Sequence, residues 1–272
     1  MEQEKARTRL FIWLWTAFVV VLLYLPIACG ALASFSKGRY FAFPIRAFTS
    51  EWWEKTVDSI EIGMIVQTSL LVAALVTVLS VVVAFFGALA FARYDWKGRR
   101  LFQKIVILPI FFPQPVLGLA LLLWFSAVGV QTSWLTAVFA HLVWIVPVVT
   151  LVIAIQVYSF DPSLEEAAFD LGASRWQVMR EVTLPILWPG IWSGALFAFL
   201  LSWGNFPLSL YTAGADSTVP KWLYSKMVAG YTPMVPALPM VPALGTMSTL
   251  GAASALLLGG LVLWLLRRRA AA

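Results

Sequence analysis

The sequence predicts an all-α polytopic membrane protein with six transmembrane helices, and three observations predict it. Of the 272 residues 61% are hydrophobic and only 12% are charged, about half the charge of an ordinary soluble domain. Charge-free runs at 10–36, 62–92, 105–160, 182–215 and 227–266 each exceed the roughly 20 residues needed to cross about 30 Å of hydrocarbon. The charges lie between those runs, so the net charge of +6 reads as membrane topology and not as affinity for nucleic acid. Cys29, the only cysteine, can form no intramolecular disulfide and reads as a small buried hydrophobe.

In chain order, the first run predicts a helix over 10–33 and the second a helix over 62–92. The third run is long enough for two helices, 105–127 and 134–158, meeting as a hairpin at the turn-like stretch Val128-Gly129-Val130-Gln131-Thr132-Ser133. The fourth run predicts 187–212. In the fifth, Pro233, Pro236, Pro239 and Pro242 remove backbone donors too often for a continuous helix, so only 244–266 is expected to cross. Residues 1–272 therefore read as a single transmembrane domain. An even number of spans puts both termini on one side. With that side cytoplasmic, thirteen of the nineteen Lys and Arg lie inside, as the positive-inside rule asks. Outside, the segment 37–61 holds Tyr40, Phe41, Trp52 and Trp53, suited to the headgroup layer. The outer segment 213–243 runs into a tandem copy of Pro-Met-Val-Pro-Ala-Leu, which reads as a local expansion of a loop.

The most informative segment is the inner loop 159–186. Asp161 with Pro162 at the first helical position, or Ser163 with Glu166 three residues on, both predict a helix start. Leu164, Ala167, Ala168 and Leu171 form one apolar stripe, while Glu166 and Asp170 stack on another face. Gly172 is expected to end that helix, and Ser174 with Gln177 to start a second that runs to a break at Thr183-Leu184-Pro185. Such an elbow is too short to span a membrane and too small to bury its own stripe. Its stripe needs the inner face of the bundle or a partner protein.

Glu166-Ala167-Ala168, three residues, Gly172, nine residues and Val182-Thr183-Leu184-Pro185 resembles the EAA signature, E-A-A-x3-G-x9-I-x-L-P, of the membrane subunits of bacterial ABC importers. The wider chain is similar to permease subunits of spermidine/putrescine-type importers at Tyr24-Leu25-Pro26, Ala90-Phe91-Ala92-Arg93-Tyr94, Pro115-Val116-Leu117-Gly118 and Tyr211-Thr212-Ala213-Gly214. The resemblance implies a type I (MetI-like) permease fold in the bacterial inner membrane. The elbow would then be a coupling helix seated in a separate ATPase, with Ser163, Glu165, Glu166, Ala167, Ala168, Asp170, Gly172, Ala173, Leu184 and Pro185 as its coupling residues. It further implies two ABC ATPase subunits that use ATP and Mg, a related but distinct second permease, and an external solute-binding protein docking on 37–61 and 213–243. No cofactor is expected on this chain itself.

The sequence holds no G-x-x-x-x-G-K-[ST] phosphate loop, no H-E-x-x-H, no G-x-S-x-G and no Cys/His ligand set, so no catalytic or metal site is expected. A proton-coupled secondary transporter, the competing class, would carry Asp, Glu or paired His within its spans. The polar residues available to line a pathway are Gln67, Gln114, His141, Ser202, Trp203 and Asn205, with helix-to-helix hydrogen bonding as the alternative role for each. The stretch Ser202-Trp203-Gly204-Asn205-Phe206-Pro207 has no acid where polyamine-carrying relatives are understood to have one. A polyamine dication there would find no carboxylate to offset its desolvation, which leaves a non-polyamine cargo as the alternative.

Overall fold

A computed structural model of the chain describes residues 2–38 and 44–239. The described residues are helical apart from turns and one isolated antiparallel bridge between Ser36 and Phe48. They fall into two compact units, one made from the described residues up to Gly63 with those from Ser225 on, and the other from Met64–Tyr224.

In the first unit, α1 (Glu2–Ser34) is a single long helix whose most apolar eighteen-residue window buries no residue, while Ala33 and Ser34 at its end are buried. Cys29 lies exposed on it, a correction to the buried position expected. The short α2 (Glu51–Val57) is turned back on the end of α1 by its tryptophans. Trp52 Nε1 donates to the Ser36 carbonyl at 3.0 Å, Trp53 Nε1 donates to Ser34 Oγ at 3.1 Å, and the Trp53 ring stacks on Phe35.

The second unit is built on α3 (Ile60–Ala88), α6 (Trp134–Ser159) and α9 (Leu184–Trp203). Val72, Val76 and Ala84 meet Ile145, Val149, Ile153, Leu187 and Ala198 in one buried cluster. Between helices in lipid, close packing replaces the hydrophobic drive, and small residues permit it. Gly190 shows this, since a Cβ there would lie 2.8 Å from the Gln156 Cβ.

The second span, expected over 62–92, is α3 extended by a π turn, Leu89–Arg93. The fourth, expected over 134–158, is α6. Two expected helices are instead broken. The third, 105–127, divides into α4 (Arg99–Ile107), a 3₁₀ turn at Leu108–Phe111 and α5 (Gln114–Ala127), with a bend of 101°. Pro109, Pro113 and Pro115 remove donors in sequence, and Phe112, preceding Pro113, is extended with ψ 133°. The fifth, 187–212, divides into α9 and α10 (Phe206–Thr212) at Gly204 and Asn205, where the Asn205 side chain caps the new helix by accepting from the Leu208 N–H at 3.1 Å.

Among the described residues four helices are long and apolar enough to cross a membrane, five if the bent pair is counted as one span. The expected sixth helix, 244–266, and the second copy of the tandem repeat beyond residue 239 lie outside the described residues.

Candidate functional site, a polar knot behind the elbow

The elbow forms where the sequence puts it. Its first helix, α7 (Ser163–Asp170), starts on Asp161, whose carboxylate accepts from the Ser163 N–H at 3.0 Å. The Ser163 hydrogen bonds, with a smaller contribution from Arg93, hold the Asp161 carboxyl below the usual carboxylate range. The helix ends in a Schellman arrangement. The Ala173 N–H reaches back to Ala168 O at 3.1 Å and the Gly172 N–H to Phe169 O at 2.9 Å, with Gly172 at φ +84°. The second helix, α8 (Arg175–Val178), opens on a reciprocal capping box, Gln177 N–H to Ser174 Oγ and Ser174 N–H to Gln177 Oε1.

The break expected at Thr183-Leu184-Pro185 is not there. The helix runs on through a π turn, Met179–Thr183, into α9, giving a continuous Arg175–Trp203. Pro185 falls in the first turn of α9, where its missing N–H is absorbed by the widened turn ahead of it.

Burial divides the elbow into two faces. Leu164, Glu166, Ala167, Asp170 and Leu171 are exposed, with Leu171 at 89%, and Trp176 on α8 is 72% exposed. The predicted stripe therefore faces away from the bundle, except for half-buried Ala168. Ser163, Gly172 and Pro185 are also exposed, while Ala173 and Leu184 are half-buried. Glu165 turns inward. Its Oε2 accepts from Arg93 Nη2 at 2.5 Å and its Oε1 from the Thr183 hydroxyl at 2.6 Å. The Arg93 guanidinium lies 5.0 Å over the Phe160 ring, which is itself buried. One carboxylate thus joins the end of the second span, the elbow and the start of the fifth.

Arg93 and Thr183 were not among the site residues the sequence suggests. Arg93 reads as one of many inner-side charges and Thr183 as part of a helix break, so neither points at Glu165 without the fold. The carbonyl end of the second span is closed by side chains that follow it. Trp96 Nε1 donates to Ala90 O, and Arg99 and Gln103 both donate to Phe91 O.

The candidate pathway residues do not form one site. His141 is fully buried on α6, between Ser202 Oγ at 2.9 Å and Ser209 Oγ at 3.0 Å. It therefore ties α6 to both sides of the α9–α10 break, beside buried Asn205. Trp203 is half-buried and stacks on Phe199, Gln114 is half-buried at the start of α5, and Gln67 is exposed on α3.

At the other end of α6, Asp216 Oδ2 accepts from the Trp134 N–H at 2.8 Å, placing a carboxylate on the helix N-terminus. Gly214 sits at φ +59°, where a Cβ would be 2.1 Å from Thr132 O. Lys221 Nζ donates to the carbonyls of Gly214 and Asp216. Burial lowers its pKa and the Asp216 charge opposes that shift.

Comparison with known proteins places this geometry. Residues 80–270 match the model of a family described as binding-protein-dependent transport system inner membrane component. The chain is 29% identical to the spermidine/putrescine transport system permease protein PotC of Haemophilus influenzae, over 81% of this chain and 86% of that one. It is 28% identical to the putrescine transport system permease protein PotI of Escherichia coli, over 82% and 84%. Among solved structures, a bacterial ABC transporter involved in the import of the acidic polysaccharide alginate superposes with a TM-score of 0.69 at 15% identity, covering 92% of this chain and 96% of that one.

Proposed function

We infer how this chain works from the premise that it belongs to the binding-protein-dependent transport system inner membrane components and is a multi-pass permease subunit of an ABC importer. In this reading the elbow is the docking handle for a separate ATPase. One observation carries it: a short helix pair presents Leu164, Ala167, Leu171 and Trp176 to solvent while its opposite face is bound to the bundle. Exposed apolar side chains on a structured, polar-rimmed element mark a contact surface.

The full assembly we propose has a sixth span at 244–266 and both termini in the cytoplasm, so that the elbow faces the ATPase. Two ATPase subunits bind ATP and Mg, and a distinct second permease completes the pathway. A solute-binding protein docks on 37–61 and 213–243. Closure of the ATPase pair moves the elbow and exchanges the open side of the cavity. Gln67, Gln114 and Trp203 are our pathway residues. In the described arrangement His141, Ser202 and Asn205 are occupied in holding the α9–α10 break.

The cargo we propose is a small polar solute of the polyamine class, supported by the relatives named above. A second reading, the same role with a different solute, is favoured by the acid-free stretch 202–207 and by the use of Asn205 as a helix cap. Purification of the detergent-solubilised chain is expected to recover an ATPase, and deletion of 163–173 to lose it. An intact complex after that deletion defeats the docking role. Binding of radiolabelled spermidine and putrescine to the cognate solute-binding protein separates the two cargo readings.

A further inference from the structure

We propose that Glu165 is a positioning residue that delivers elbow movement to the second and fifth spans, and not a surface group that meets the ATPase. The proposal rests on the reading of the elbow as a docking handle and adds where its motion goes.

The two partners of Glu165 share a structural address. Arg93 is the last residue of the π turn Leu89–Arg93, and Thr183 is the last residue of the π turn Met179–Thr183. Both turns are closed by bonds five residues long, Tyr94 N–H to Leu89 O and Leu184 N–H to Met179 O. A π turn holds one residue more than the α register, and such turns concentrate at functional positions and hinges in helices. Among the described residues these are the two π turns, and one carboxylate bridges them, with Arg93 at 2.5 Å and Thr183 at 2.6 Å.

The charge distribution supports transmission. The Arg93 and Glu165 side chains are 15% and 19% exposed, so salt screens the pair less than one on the surface. Hydrogen bonds with ionised partners are shorter and roughly twice as strong as neutral ones. Arg93 is also backed by the Phe160 ring, whose residue belongs to the α3–α6–α9 core. Its neighbour Glu166 is exposed, so the two adjacent acids divide the work, one facing out and one facing in. When α7 shifts, the grip on Glu165 pulls at the ends of both spans, at the points where their helical register is already loosened.

The test uses the assembled permease and ATPase complex in lipid nanodiscs, with its solute-binding protein as the probe. The readout is the stimulation of ATP hydrolysis by that protein. Glu165→Gln is expected to retain the ATPase subunit at the wild-type level and to lose the stimulation, with Glu165→Asp restoring part of it. Full stimulation in Glu165→Gln overturns the proposal. So does loss of the ATPase subunit, because Glu165 is then a docking residue. If Glu165→Gln does not accumulate, Thr183→Val and Arg93→Lys are read in the same way: reduced stimulation supports the linkage, and wild-type stimulation in both overturns it. A wild-type complex that purifies without any ATPase breaks the docking reading instead, so the two failures are distinct.

Discussion

The second unit holds two polar knots, and they are built on opposite principles. Glu165 and His141 each join three helical segments through two hydrogen bonds, yet Glu165 is charged, half-buried and flanked by π turns, while His141 is fully buried between two serine hydroxyls. The first lies directly behind an exposed apolar elbow. The second lies where α9 breaks into α10, a break that needs its freed backbone groups satisfied and its two halves held in register. The contrast separates a linkage suited to carry motion from a staple suited to prevent it. A buried hydrogen-bond network rigidifies its surroundings when fully satisfied, whereas a largely buried ion pair passes the displacement of one partner on to the other.

Several substitutions sharpen or break that contrast. The largest loss of stability is expected for His141→Ala, which leaves a cavity and two buried hydroxyls unpaired at a cost of about 3 kcal/mol. Thermal unfolding of the solubilised complex measures it, and a change below about 1 kcal/mol removes the staple from the account. Gly172→Ala comes next. Nothing lies within 4 Å of the added Cβ, so only the left-handed backbone resists, at about 1 kcal/mol or slightly more, visible as a shift in the same melting curve. Ser174→Ala, which removes one side of the capping box, is expected to cost about 0.5–1 kcal/mol, less than Gly172→Ala. Leu171→Asp is the smallest in stability, within about 0.5 kcal/mol because the side chain is free in solvent. It is nonetheless expected to reduce the recovered ATPase strongly, and a stable variant with full ATPase recovery argues that the elbow docks elsewhere.

The sequence made the elbow legible because each of its signals is local. Asp161, Ser174 with Gln177, and Gly172 act within a few residues of themselves, and all three appear in the structure in the roles expected. The fourth span was equally plain, since 134–158 is a long uninterrupted apolar run. The third and fifth spans each read as one helix, although Pro113 and Pro115 beside Gln114 mark a break in the third, because hydropathy counts residues and not donors. Pro109, Pro113 and Pro115 turn one apolar run through 101°, and Gly204 with Asn205 divides another without interrupting its apolar character. Glu165 is legible as a candidate coupling residue beside the Glu166-Ala167-Ala168 motif, but its direction is not. Its partners Arg93 and Thr183 lie 72 and 18 residues away, and no periodicity connects them. The stripe and its need for a covering surface are legible in the sequence, but only the fold shows that it points away from the bundle.

The elbow's bend is closed by local bonds, those ending α7 at Ala173 and Gly172 and those opening α8 at Ser174 and Gln177. A partner that seats itself there meets a finished shape and has no loose segment to order, so little of the contact energy is consumed in freezing conformations. Recognition of the handle we propose would accordingly be closer to fitting a rigid key than to folding a peptide. In that proposal its dwell time on the ATPase would be set by how well Leu171 and Trp176 are buried, not by how long the chain takes to find its form.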